Sequence, residues 1–155
     1  MRSVRTDPYI FFSSQQPGIT VAAPVVFPNG VLQGVIGVDI EILDISGFLL
    51  DLWVGGNGAA LILNQDGSVL AHPDPDQIKV LNEDGTLSFA NINDIDDPIS
   101  RAAFANIDQA DGSTGGSQSN FSYQDDAYLG LFSPFTGIDL PWTIAVYAPE
   151  DDLSA

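Results

Sequence analysis

Short runs of apolar residues alternate with polar ones along most of the chain, and Gly, Pro, Asn and Asp punctuate them. Residues 9–12, 19–27 and 31–40 each read as extended segments, with Pro17-Gly18 and Pro28-Asn29-Gly30 turning the chain between them. Pro24 has no ladder donor, so its run is expected at an edge or a bulge. Gly34 and Gly37 inside the third run predict close approach of another backbone or a ligand. A three-stranded meander is the economical reading of this third of the chain.

The period then changes. Ile42, Ile45, Phe48, Leu49, Leu52 and Trp53 recur at steps of three and four, which predicts an amphipathic helix capped by Asp44 and stopped by Gly55-Gly56. Residues 59–64 and 68–72 flank Gln65-Asp66-Gly67, a hairpin signal. Residues 73–93 are turn-rich and irregular by pattern. Asp97-Pro98 then opens a helix, with Asp as cap and Pro at the first helical position, burying Ile99, Ala102, Ala103 and either Phe104 or Ile107. After a Gly/Ser-rich loop at 111–117, three strands are expected at about 119–123, 128–132 and 142–147. The class is α+β: a five-stranded antiparallel sheet from residue 57 on, with flanking helices, preceded by a partial second sheet and a linking helix.

Composition narrows the functions. The chain has 155 residues, 45% of them apolar, enough for a core in one ordinary domain. Its net charge of −17 comes from 21 acidic residues against four Lys or Arg. Such a field repels nucleic-acid backbones and anionic lipid surfaces, so neither is an expected partner. Most of the acids are Asp set among Gly, Asn and Pro, which is turn chemistry on a solvated surface. There is no cysteine, so disulfides, thiolate metal sites and cysteine nucleophiles are excluded. No apolar run reaches the length of a membrane span, so any membrane anchor is expected outside these residues.

Several strings, in this order and spacing, resemble the double Cache sensor domain, an extracellular PAS-like family. They are Asp7-Pro8-Tyr9, then Pro17-Gly18-Ile19-Thr20-Val21-Ala22-Ala23-Pro24-Val25, then Gly34-Val35-Ile36-Gly37-Val38-Asp39-Ile40. Further on come Ala59-Ala60-Leu61-Ile62-Leu63, Val69-Leu70-Ala71-His72-Pro73, and Pro141-Trp142-Thr143-Ile144-Ala145-Val146-Tyr147-Ala148-Pro149-Glu150. The resemblance implies that residues 1–42 are the end of a membrane-distal subdomain, 43–56 the linking helix, and 57–155 the membrane-proximal PAS-like subdomain. It implies an extracytoplasmic, non-catalytic sensor of a transmembrane receptor, relaying binding of an amino acid, amine or small carboxylate to a cytoplasmic output domain. It further implies a homodimer in the intact receptor and no cofactor. The stretch 6–12 looks like that of receptors with a class III nucleotide cyclase output. One departure stands out: a complete distal subdomain of the family carries a long helix and two strands before the position of Asp7, where this chain has six residues.

Asp39 sits between Val38 and Ile40 at the end of an apolar run, where a carboxylate is costly to bury unpaired. The residues alone favour a solvent-facing cap of the following turn or helix; the resemblance implies instead that Asp39 holds a ligand ammonium, with Tyr9 and Thr20 lining the same pocket. Tyr123, Tyr128 and Trp142 fit either a pocket or, as alternating aromatics usually do, a core. Arg101, a rare cation here, can grip a carboxylate ligand or pair with Asp97 one turn back, and the surface pairing is expected. His72 is the single histidine and reads as a structural strand-end residue, with no metal site expected. The Asn91, Asn93, Asp94, Asp96, Asp97 loop lacks the Gly and the terminal Glu of a calcium loop. No nucleophile elbow, zinc-protease helix or phosphate loop is present. The competing readings are an acidic structural or adhesion module with weak cation binding and, last, a hydrolase using a pair of Asp.

Overall fold

The structure, a computed structural model, describes residues 3–51, 54–105, 116–135 and 140–153. Two antiparallel sheets dominate it. The first is built from β1 (Val4–Arg5), β2 (Tyr9–Ile10), β3 (Pro17–Val26) and β4 (Leu32–Glu41). β3 is its spine: β4 pairs along one edge, while β1 and β2 share the other, at Val21/Ala22 and Pro17/Gly18. The expected meander is therefore present, with β1 as an addition. Pro24 lies beyond the reach of β1, where the missing N–H removes no ladder bond on that edge, and the register shifts just after it, between Val25 and Val26. No close approach appears at the two β4 glycines: a Cβ at Gly34 would meet nothing within 4 Å, and one at Gly37 only Thr20 Cγ2 at 3.7 Å.

β4 runs directly into α1 (Leu43–Asp51), and the Ile42 amide at the junction donates to Pro17 O at 2.8 Å. The helix starts at Leu43, one residue ahead of the Asp44 expected to cap it. Ile42 and Leu49 are buried, whereas Phe48, expected on the same stripe, is exposed. The Ile45 side chain, together with Leu52, Trp53, Ile107 and residues 111–115, lies outside the described residues.

The second sheet comprises β5 (Ala59–Asn64), β6 (Val69–Ala71), β9 (Ser117–Tyr123), β10 (Asp126–Pro134) and β11 (Trp142–Pro149), in the order β6-β5-β11-β10-β9. The last strand lies at the centre, so it is paired on both edges. The β5–β6 hairpin turns on Gly67 at φ +83°, and Asp66 Oδ1 accepts from the Ser68 amide at 3.0 Å. The region expected to be irregular holds a small ribbon, β7 (Lys79–Leu81) with β8 (Leu87–Phe89), closed by an Asn82–Thr86 turn with Gly85 at φ +81°. α2 (Pro98–Ala105) buries Ser100 and Ala103 and packs Ile99, Ala102 and Phe104 against the core.

Each face of the second sheet has its own apolar layer. On one side Leu61, Leu63, Val69, Phe121, Tyr128, Phe132 and Tyr147 meet Ile78, Ile92, Ile95 and Ala103 from the α2 side. On the other, Ala60, Ile62, Leu70, Ala71 and Trp142 meet Ile19, Ile42 and Leu49, which joins the first sheet and α1 to the second. The chain leaves β11 through a 3-10 turn, Glu150–Leu153, and Asp152 Oδ2 there accepts from the Asn57 amide at 2.8 Å and from Asn57 Nδ2 at 3.3 Å. The α1–β5 loop and the exit turn are thus clasped together.

Gly18 marks the tightest spot of the first sheet. A Cβ there would come within 2.3 Å of the buried Phe11 ring and 2.6 Å of the Ile40 carbonyl. Gly18→Ala should therefore lower stability by ~1–3 kcal/mol through overpacking, read as a fall in urea midpoint, while Gly34→Ala serves as the neutral control.

Candidate functional site

Three of the residues singled out from the sequence come together on the first sheet. Thr20 on β3 and Asp39 on β4 are direct cross-strand partners, so their side chains leave the same face. Thr20 Oγ1 donates to Asp39 Oδ1 at 2.6 Å, and the Tyr9 hydroxyl lies 2.7 Å from the same Oγ1. Thr6 braces the backbone behind them: its amide donates to Thr20 O and its Oγ1 accepts from the Thr20 amide, each at 2.9 Å. Tyr9 also stands edge-on to the buried Phe11, with ring centroids 4.9 Å apart. Strand register thus places the triad, and Phe11 fixes the direction of its aromatic member. The outward side is open, since Gly37, the next residue on that face, has no side chain to cover Asp39. Asp39 Oδ2 has no hydrogen-bond partner among the described residues.

Tyr123, Tyr128, Trp142 and Arg101 do not join them, and Trp142 is buried in the apolar layer between the sheets. Tyr128 is buried, stacked on Phe121 at 5.2 Å and edge-on to Tyr147 at 6.3 Å, and Tyr123 packs half-buried against the same layer. Arg101 lies exposed on α2, and among the described residues it makes no ion pair with Asp97. The expected Arg101–Asp97 pairing is therefore corrected, and the reason is competition from elsewhere in the fold.

Asp97 turns inward instead and becomes the hub of a polar cluster. Its Oδ1 caps α2, accepting from the Ile99 and Ser100 amides at 3.1 Å. Its Oδ2 accepts from His72 Nε2 at 3.1 Å and from Ser100 Oγ at 2.7 Å, and the Tyr147 hydroxyl reaches Ser100 Oγ at 3.0 Å and Oδ2 at 3.3 Å. On the other side of the ring, His72 Nδ1 lies 3.0 Å from the Asp74 amide nitrogen and 3.1 Å from the Asp74 carbonyl oxygen, so the Asp74 backbone helps to orient the imidazole. Burial works to raise the Asp97 value, but hydrogen bonds from His72 and Ser100 outweigh it and hold the carboxyl well below the usual range. Burial pushes the Tyr147 phenol far above its ordinary value.

Although Ser, His and Asp meet here, they do not form a nucleophilic triad. His72 and Ser100 both bond to Asp97 and not to each other, so no base is placed to take the serine proton. Both side chains are also almost wholly shielded from solvent. In the loop from Asn91 to Asp97, Asn91 Oδ1 accepts from the Asn93 amide and from Asn93 Nδ2, and the Asp96 amide donates to Gln77 Oε1. Among the described residues no three or more of His, Cys, Asp and Glu are grouped to hold a metal. No helix among them is long and apolar enough to cross a membrane.

Residues 4–155 match the family model described as Cache domain. The chain belongs to the Cache family. Among curated proteins this Cache domain is 37% identical over 82 residues to the methyl-accepting chemotaxis protein PscA of Pseudomonas syringae pv. tomato, covering 52% of the chain and 13% of that protein. It is 33% identical over 73 residues to the methyl-accepting chemotaxis protein PctB of Pseudomonas aeruginosa, covering 47% and 11%. Among solved structures, the ligand-binding domain of PctB in complex with L-Arg has a TM-score of 0.61 at 23% identity, covering 99% of this chain and 57% of that one. The ligand-binding domain of the Pseudomonas fluorescens chemoreceptor CtaA in complex with L-serine has a TM-score of 0.58 at 20% identity, covering 97% and 56%. At these identities the structural likeness establishes the fold, a Cache-type α+β architecture. The chain spans little more than half the length of the solved domains and about an eighth of the curated receptors. Membership of the Cache family describes a non-catalytic domain.

Sequence reasoning missed two contributors. Thr6 gave no signal, because a lone Thr beside a short strand is ordinary. The Asp97 cap was legible in Asp97-Pro98, but not the long-range partners of its second oxygen, which lie 25 residues upstream and 50 downstream.

Asp97 also sets an acid limit. Its folded-state value is below the 3.8 of a free side chain, so the unfolded chain takes the proton first as pH falls. Stability from this group is present above about pH 4 and is lost as the pH drops toward the folded-state value. Asp97→Asn keeps a cap and should flatten the acid limb of urea midpoint against pH, whereas Asp97→Ala should lose a further ~0.5–2 kcal/mol with the cap.

Proposed function

We propose that this chain is part of the extracytoplasmic sensing region of a transmembrane receptor, and that Asp39, with Tyr9 and Thr20, receives the ammonium group of an amino acid or amine. One observation carries the reading: a relay of three polar side chains ends in a carboxylate oxygen that the fold leaves unbonded. An unmet anionic acceptor on an open face suits a cation with N–H donors. The net charge of −17 draws cations and repels small carboxylates, which moves the expected ligand classes toward amines. Solved relatives in complex with L-Arg and L-serine fit the same class. Tyr128, stacked inside the core, is given no ligand contact.

Relay of binding requires that the ligand favour one of two conformations. A route is built into the chain: β4 carries Asp39 and continues into α1, α1 packs on the back of the second sheet, and the loop after α1 clasps the exit turn. On this reading residues 1–42 are a receptor's distal part, 43–56 the link and 57–155 the proximal part, with the membrane anchors and any pairing with a second copy supplied by other segments. The curated relatives are methyl-accepting chemotaxis proteins, which favours a chemoreceptor output over the nucleotide cyclase expected from residues 6–12.

Thermal-shift measurements with L-arginine, L-serine, ethanolamine, acetate and adenine test the reading. The amines should raise the melting temperature and acetate should not, and Asp39→Asn should weaken amine binding by ~10- to 100-fold, the worth of one charge-assisted hydrogen bond. A flat response across all classes overturns it. A rise with calcium alone would support the adhesion reading instead.

A further inference from the structure

Thr20 stands in the middle of the relay, and its single hydroxyl proton decides what its two neighbours can offer. An ionised carboxylate only accepts, so the 2.6 Å contact to Asp39 Oδ1 takes the Thr20 proton. Thr20 Oγ1 is then left with lone pairs alone, and the Tyr9 hydroxyl at 2.7 Å must donate to it. With its proton turned inward, the phenol oxygen faces outward as an acceptor. Asp39 Oδ2 is an acceptor as well, and Gly37 leaves the space beside them open. Reversing any one bond would break this order. The cross-strand register Thr20↔Asp39 and the Thr6 brace on both Thr20 backbone groups keep the hydroxyl in place.

We propose that Thr20 is the specificity-determining positioning residue of the site. By fixing the direction of both hydrogen bonds it presents two outward acceptors and no outward donor, which selects a primary ammonium over a cation without N–H groups. The inference rests on the amine reading above and adds the choice among amines. A site working by charge alone would take a quaternary ammonium equally well. A site of two acceptors does not, because each acceptor needs an N–H to satisfy it.

Two measurements on the full chain test the inference separately from the reading beneath it. The first is the Raman tyrosine doublet, isolated for Tyr9 as the difference between wild type and Tyr9→Phe. The wild type and Thr20→Ser should show Tyr9 as a donor, and Thr20→Val should lose that signature. A wild-type Tyr9 that acts as an acceptor overturns the inference and leaves the amine reading standing. The second is calorimetric titration with ethanolamine and with choline, which carry the same charge but differ in N–H groups. Ethanolamine should bind ~10-fold tighter to the wild type and to Thr20→Ser, and Thr20→Val should erase the difference, about one charge-assisted hydrogen bond's worth. Equal binding of both probes by the wild type overturns the inference. Binding of neither overturns the amine reading and this inference with it. Thr20→Ser keeps the test decisive should Thr20→Val fold poorly, because rescue depends on the hydroxyl and not on the shape of the strand.

Discussion

The back of the five-stranded sheet is paved with Ala60, Ile62, Leu70, Ala71 and Trp142, and Ile42 and Leu49, with Ile19 from the first sheet, lie against it. This apolar seam holds the two halves of the chain in register. Each of its large aliphatic side chains contributes ~1.5–3 kcal/mol when taken out of water, so the seam outweighs any single polar contact across the same junction. Its small residues matter as much as its large ones. Ala60 and Ala71 let α1 lie close, and the Ile42 amide then reaches Pro17 O at 2.8 Å, tying the start of the helix to the start of the β3 spine. The first sheet has little else to lean on, since most of β4 is exposed, including Val35, Ile36, Val38 and Ile40. The position of Asp39 is therefore inherited from a seam that begins three residues further along the chain.

The molecule contains two polar clusters of opposite character. Around Asp97 both carboxylate oxygens are bonded, by two amides, an imidazole, a serine and a tyrosine; His72, Ser100 and Tyr147 are buried, and Asp97 itself is only partly exposed. A saturated cluster has nothing left to offer a ligand, so its work is to pin α2, the end of β6 and the central strand together. The cluster around Thr20 is open and incomplete. Its geometry is as short and as directed as that of the buried one, yet one oxygen of its terminal carboxylate has no partner among the described residues.

Much of the architecture was legible because its signals are local. Gln65-Asp66-Gly67 fixes a hairpin through a positive-φ glycine, Asp97-Pro98 starts a helix, and the shift from period two to steps of three and four locates α1. The differences have physical causes. The β7–β8 ribbon escaped notice because its strands are short and Val80 and Leu81 face water, so no alternation marks them. Phe48 kept the helical period without being buried, since periodicity shows which positions share a face but not how wide that face is. Arg101 was expected to meet Asp97 because one helical turn separates them, but a buried imidazole and serine bid more strongly for the same carboxylate than a solvated guanidinium. At the site, strand alternation put Thr20 and Asp39 within reach of one face, but only the register makes them opposite each other, and register is set by turns and bulges elsewhere.

The clasp made by Asp152 has a practical corollary. Because the Asn57 amide finds its acceptor only after β11 has ended, the folded unit does not stop where the sheet stops. Trimming the chain at Pro149, which looks natural from the strand boundary, would strand a donor 95 residues upstream. Any fusion partner or reporter belongs beyond Leu153, and a shorter boundary would loosen the Gly55-Gly56-Asn57 loop that follows α1.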